Sequence, residues 1–464
     1  MDKFEKFRQD YPRFFYRGYE LQEDARSLTV VYHFETEGLA QFSPRWIFPK
    51  SPDYPEPVRD NGILQDLVFS LGMVELVSYW KLTCSPQVIV EAGALNPEQI
   101  AWWKDLYYNG QGEFFYTNGI DADPETFMEL RSTGEPVNGS RPRTGNGGCL
   151  VPVGGGKDSA VTLELLKRER EKCLCFIINP RGATLKTVEA AGMGPESTVS
   201  VKRTLDKNML ELNRQGFLNG HTPFSALVAF SSTIAAYLWG LHYIALSNES
   251  SANESTVKGS TVNHQYSKSF RFEKAFHEYE EKWIGSGTYY FSMLRPLSEF
   301  QIARYFAGCT AYHPVFKSCN VGSKEDIWCG HCPKCLFVYL ILSPFLAPEK
   351  LQEIFGRDML EDETLLPVME QLIGIREEKP FECVGSRSEI NTAITLAIEK
   401  LTKEGRSLPK LFVYYKTTAL YGQYKEMGDT YSGYFDSENL LPEKFEKLVR
   451  SACVQGRPEG GSCD

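Results

Sequence analysis

Apolar and polar positions alternate along the first part of the chain. Residues 14–21 and 27–34 are rich in aromatic and β-branched side chains, with a polar stretch between them, which predicts a hairpin. Prolines between 49 and 57 break this pattern. Residues 60–80 then place Leu64, Leu67, Val68, Leu71, Val74, Leu76 and Val77 on a broad apolar face and predict a helix. A second helix is predicted over 96–108, opened by the capping pattern Asn96-Pro97-Glu98-Gln99. From 147 onward, short apolar runs at 150–153, 173–178, 198–201 and 243–246 alternate with helical stretches at 160–170 and 223–239. Buried strands alternating with helices predict a parallel, doubly wound sheet, whose ligands bind beyond the carboxyl ends of the strands. That rule puts the glycines after 153, Asn179-Pro180 and Ser247-Asn248-Glu249 on one rim.

Past Pro348 the pattern turns helical and amphipathic, with a break at 381–385 before a helix near 390–401, and the tail from Gln455 reads as disordered. The stretch 132–148, rich in Gly, Pro, Asn and Arg, marks a first domain boundary. The expected fold is therefore α/β in three regions. These are a mixed α+β domain over 1–145, a parallel-sheet domain over 146–345 and a mainly helical region over 346–464.

Bulk properties narrow the class. A chain of 464 residues exceeds one ordinary core, and 42% hydrophobic with 24% charged residues is the balance of a globular protein. The net charge of −10 argues against a generally basic, nucleic-acid-binding surface. No run of 18 apolar residues appears and the charged start, Met1 to Lys6, has no signal-peptide character, so a cytoplasmic protein without a membrane span is expected. Oligomeric state is not legible.

Two motifs carry chemistry. Leu150-Val151-Pro152-Val153 enters Gly154-Gly155-Gly156-Lys157-Asp158-Ser159, and a helix leaves it. Glycines let backbone N–H groups approach an anion, and the helix start adds unsatisfied donors and the positive end of a dipole. The spacing matches neither a Walker A loop nor a dinucleotide fingerprint. The second motif is Cys319, Cys329, Cys332 and Cys335, four thiols that can surround zinc tetrahedrally or hold an iron–sulfur cluster, with His331 able to replace one of them.

The glycine loop resembles the Ser-Gly-Gly-x-Asp-Ser signature of PP-loop ATP pyrophosphatases, with Gly154 in place of the first serine. With the four-cysteine knot, the layout is similar to that of 7-cyano-7-deazaguanine synthases. A larger set of segments resembles the UDP-N-acetylmuramoyl-L-alanyl-L-glutamate epimerases. The set comprises Arg17-Gly18-Tyr19, residues 73–81, 291–302, 328–344 and Lys379-Pro380-Phe381-Glu382-Cys383-Val384-Gly385. That resemblance implies ATP- and magnesium-dependent inversion of the terminal L-glutamate of a UDP-linked muramoyl dipeptide, releasing AMP and diphosphate. The alternatives are an ATP pyrophosphatase acting on a nucleobase or tRNA, and a nucleotide-binding regulator without turnover.

In the epimerase reading, Gly154, Gly155, Gly156 and Ser159 hold phosphates, and Lys157 neutralises charge at the α-phosphate. Asp158 caps the helix or helps place Mg2+, while Asn179 and Asn248 are candidate nucleotide contacts on the rim. Candidates for the epimerising base are Cys309, His313, Cys383, His221 and His264, residue types able to accept a proton near neutral pH. Arg181, Arg203, Lys268, Arg271, Arg295 and Arg304 are candidate cations for the substrate's diphosphate and carboxylates.

Overall fold

The computed structural model describes residues 2–54, 57, 61–136, 145, 147–168, 172–260 and 262–454. The expected boundary at 132–148 lies partly, and the tail from 455 wholly, outside them. The strands are β1 (Arg13–Glu23), β2 (Ser27–Thr36), β3 (Ala40–Phe42), β4 (Arg45–Pro49), β5 (Gln87–Val90), β6 (Glu129–Ser132), β7 (Cys149–Pro152), β8 (Cys173–Ile178), β9 (Thr198–Thr204), β10 (Tyr243–Leu246) and β11 (Tyr289–Ser292). They form one mixed sheet in the order β11-β10-β7-β8-β9-β4-β2-β1-β5-β6, with β3 beside β2.

The block from β11 to β9 is parallel throughout, as the alternation of buried runs and helices predicts. The chain leaves β7 to one side through β8 and β9, then returns on the other side as β10 and β11. The strand order therefore reverses between β7 and β10, where an open α/β sheet has its ligand crevice. The predicted hairpin is β1–β2. Beyond it, β4 pairs antiparallel with β9, so the amino-terminal strands and the parallel block share one continuous sheet.

Successive residues of the parallel strands point to opposite faces, and both faces are covered. Leu150, Leu174, Phe176, Val199, Val201 and Ile244 join one core, and Cys149, Val151, Cys175, Ile177 and Ala245 join the other. Against the first core packs the helix Gly62–Trp80, capped by Asn61 and buried almost all round rather than on one broad face. A Cβ at Gly72 would run into the rings of Tyr16 and Tyr32, so only glycine admits this approach. By length and composition this helix could cross a membrane, but 89% of its apolar window is buried inside the fold, the mark of a core helix. The second core holds the helix Lys157–Arg168 and the carboxyl-terminal helices, including Pro333–Leu342 and Arg387–Lys403.

Candidate active site

The glycine loop leaves β7 exactly where the strand order reverses. Gly155 has φ +85°, a left-handed conformation favouring glycine, and a Cβ there would lie 3.1 Å from Ala183. Its carbonyl accepts a hydrogen bond from the Lys317 backbone at 2.8 Å. Beside the loop lies a cavity of about 380 Å³ lined by Gly154, Gly156, Asp158, Ser159, Asn248 and Cys383, among others. The first turns of three helices face it, at Asp158-Ser159, Ala183-Thr184 and Phe224-Ser225. Converging helix starts and the cations Arg181, Lys268, Lys317 and Lys334 suit this cavity chemically to an anion.

Lys157 sits beneath the loop rather than in the cavity lining. It is 3% exposed and ion-paired with both Asp158 and Glu299. Burial opposes its charge, but the two carboxylates more than offset this, so the ammonium's pKa stands above its ordinary value. Asp158, Glu249 and Glu299 bring carboxylate oxygens within 4.8 Å of one another. An all-oxygen donor set of this kind suits Mg2+, which is usually shared between carboxylates and phosphates. The Ser159 hydroxyl donates to the Gly156 carbonyl at 3.0 Å while lining the cavity. Asn248 lines it too and donates to Ser292 at 3.1 Å. Asn179 does not. At φ +51° it ends β8, and its amide bridges to the backbone of Arg203 through two 2.9 Å hydrogen bonds.

Of the five candidate bases, the fold gathers three. Cys383 lines the cavity together with Lys268, and its thiol interacts electrostatically with Lys268 and His264. His264 Nδ1 is bonded to Glu113, whose same oxygen lies 3.5 Å from His221 Nδ1. Burial raises the thiol's pKa, but Lys268, His264 and Lys334 outweigh it and bring the thiol down to about 6. Burial lowers His264, yet Cys383 and Glu113 push it up to about 9. The pair is therefore a thiolate facing an imidazolium at neutral pH. His221, desolvated and beside His264, falls to about 4 and is neutral. Cys309, bonded to the Tyr305 carbonyl, and His313, buried against Phe306, are not among the cavity's lining residues.

The candidate cations divide in the same way. Arg181 and Lys268 line the cavity, whereas Arg203 is spent on the buried Glu75, Arg271 on Asp105 and Arg304 on Asp429. Arg295 is fully buried, bonded to Glu273 at 2.8 Å and to the backbone carbonyls of Glu249 and Lys268. It therefore fixes the chain on both sides of the site without touching the cavity. Replacing Glu273 with Ala leaves this guanidinium uncompensated, and a loss of about 3–5 kcal/mol of unfolding free energy is expected. A denaturation curve within 1 kcal/mol of the parent would contradict that role. Sequence reasoning missed Glu113, Glu299, Lys317 and Lys334, and put Glu249 on the rim without giving it a role. They are scattered along the chain, and no local spacing marks them.

The four cysteine sulfurs also lie within 4.8 Å of one another, with separations of 3.7 Å (Cys319–Cys332), 3.7 Å (Cys329–Cys335) and 3.4 Å (Cys332–Cys335). One ion with metal–sulfur bonds of about 2.3 Å has ligand separations of this size. His331 is exposed, turns its ring to the Cys329 carbonyl and stands outside the set. The knot walls the cavity: Lys317, Ser318, Cys319, Asn320, Ser323 and Asp326 all line it. Asp326 accepts from the Ala183 backbone at 2.7 Å, and Asn320 donates to Glu382 at 2.6 Å.

Comparison with known proteins gives this geometry a family. A model of the MurL N-terminal domain matches residues 5–293, and a model of the MurL C-terminal domain matches 315–417. A UDP-N-acetyl-alpha-D-muramoyl-L-alanyl-L-glutamate epimerase of Xanthomonas oryzae pv. oryzae is 34% identical over 75% of this chain and 78% of its own. The enzyme of the same name from Salinispora tropica is 35% identical over 76% and 77%, and that of a Micromonospora strain 36% over 71% and 74%. The chain belongs to the MurL family. The resemblance drawn from its scattered segments is thereby established. The first MurL model spans all eleven strands, and the second takes in the cysteine knot, Cys383 and the helix Arg387–Lys403. No solved structure matches the chain significantly.

Proposed function

We propose that the protein inverts the terminal L-glutamate of UDP-N-acetylmuramoyl-L-alanyl-L-glutamate to D-glutamate, in peptidoglycan precursor synthesis, through an acyl-adenylate formed from ATP. The relatives' names support the overall reaction. One observation carries the route: a glycine loop at three converging helix starts and the cysteine Cys383, whose thiol neighbouring cations bring down to a pKa of about 6, share a single cavity. In this reading the parallel block is a PP-loop ATP pyrophosphatase domain. ATP and a UDP-linked substrate fit a cytoplasmic enzyme.

The α-hydrogen of a carboxylate is very weakly acidic because its loss would leave two negative charges together. Adenylation removes one of them. Gly154, Gly155 and Gly156 cradle the phosphates with backbone N–H groups, while Arg181 and Lys317 offset their charge. Lys157 acts from below by holding Asp158 and Glu299 in place against mutual repulsion. Asp158, Glu249 and Glu299 would hold Mg2+, which neutralises phosphate charge when bound. The substrate carboxylate displaces diphosphate from the α-phosphorus, and the Cys383–His264 pair serves proton exchange at the neighbouring carbon. The cysteine knot would hold a structural Zn2+, its four protein ligands leaving no open position.

Purified protein with magnesium ATP and the muramoyl dipeptide is expected to form AMP, diphosphate and D-glutamate bearing one solvent deuterium in heavy water. ADP as product, or AMP formation that depends on RNA or a deazapurine instead, would overturn the proposal. The pH profile follows from the thiolate–imidazolium pair. Activity rises with pH through about 6 as Cys383 ionises and falls through about 9 as His264 loses its proton. An acid limb near 8.5, the ordinary thiol value, would remove the pair from the reaction.

A further inference from the structure

The Cys383 constellation is arranged for more than proton transfer. A thiol electrostatically paired with an imidazole that a carboxylate orients is the arrangement of an activated sulfur nucleophile, and His264 is held by Glu113. Here it stands in the same cavity as the glycine loop, where an activated acyl group is formed under the proposed reaction. We infer that Cys383 is acylated in turnover: the adenylated glutamyl carboxyl passes to its sulfur as a thioester, and inversion takes place on that thioester. This deepens the acyl-adenylate reading and rests on it.

Three further observations favour it. Lys268, Cys383 and Asp158 of the glycine loop line the same cavity, so sulfur and phosphate site share a neighbouring cation. The Cys383 carbonyl is held by Lys334 and Gly385 by Lys379, which fixes the sulfur's position as a nucleophile requires. A thiolate stabilised by neighbouring cations is also a poorer proton acceptor than an ordinary one. It remains a good nucleophile, because nucleophilicity falls less steeply than basicity.

The steps balance. The thiolate attacks the carbonyl carbon, the carbon–oxygen bond to the phosphate breaks, and AMP leaves with the electron pair. The imidazolium of His264, no longer facing an anion, releases its proton to solvent and becomes a neutral base beside the α-carbon. It takes the α-hydrogen, and the resulting enolate charge is stabilised by the Lys268 ammonium. A solvent proton adds on the opposite face. Water then attacks the thioester carbon and the carbon–sulfur bond breaks. D-glutamyl carboxylate and thiolate are released, His264 keeps the proton taken from the α-carbon as its restored imidazolium, and the two protons freed by hydrolysis pass to solvent.

The test is rapid acid quench of the full-length enzyme with magnesium ATP and the muramoyl dipeptide, read by intact-protein mass and peptide mapping. Substrate-dependent exchange of labelled diphosphate into ATP is followed in parallel. The expected result is a mass increase of one acyl group on Cys383, removed by hydroxylamine, that appears before product together with a burst of AMP equal to the enzyme. In Cys383→Ser the thioester disappears while diphosphate exchange continues, which also reports an intact fold. Diphosphate exchange and D-glutamate formation without any adduct at Cys383 at any quench time would overturn the thioester alone. Absence of exchange in the parent enzyme would overturn the adenylation beneath it.

Discussion

Replacing Cys383 with Ala is expected to lower epimerisation by about 10³- to 10⁴-fold while leaving substrate-dependent ATP–diphosphate exchange within a few-fold of the parent. The split follows from the geometry. Cys383 lines the cavity beside Lys268, whereas the proposed phosphate cradle is built from Gly154 to Gly156 and three helix starts. His264→Gln should reduce epimerisation strongly as well, since it removes both a charge that ionises the thiol and the nearest imidazole. Equal loss of exchange and epimerisation in Cys383→Ala would show that the residue is needed for assembly of the site.

Loss of a metal held by the four cysteines is expected to be the second large effect. The protein is expected to carry one tightly bound zinc per chain by elemental analysis. Removing it, by chelation or by Cys332→Ser with Cys335→Ser, should forfeit stabilisation on the order of 10 kcal/mol. That approaches the whole stability of a domain, so the helices packed on the knot are expected to unfold with it. Nucleotide binding should be lost too, because the knot's loop supplies the Lys317 bond to Gly155 and the Asp326 bond to Ala183. Retained ATP affinity and an unchanged thermal midpoint in the metal-free protein would contradict this.

The parallel block was legible because β7, β8 and β10 are short apolar runs between helical stretches, and the glycine loop announces its own chemistry. Strands β4, β5, β6 and β11 were not read. They have four or five residues and little alternation, and their strand character comes from pairing with neighbours distant in sequence. Arginines mislead in the same way. Arg203 and Arg295 look like ligand contacts until Glu75 and Glu273, both buried, are seen beside them. Cys383 and His264 could be named by residue type alone, but Glu113, which orients the imidazole, lies 151 positions from His264. Only the fold brings such groups together.

The pairing of β4 with β9 has a practical outcome for anyone dissecting the molecule. A fragment ending before the glycine loop would present β4 as a bare ladder of unpaired amides and carbonyls, and the complementary fragment would present β9 in the same state. Each is expected to self-associate or precipitate when expressed alone. Mixing the two should restore a soluble complex, since each edge is the other's natural complement.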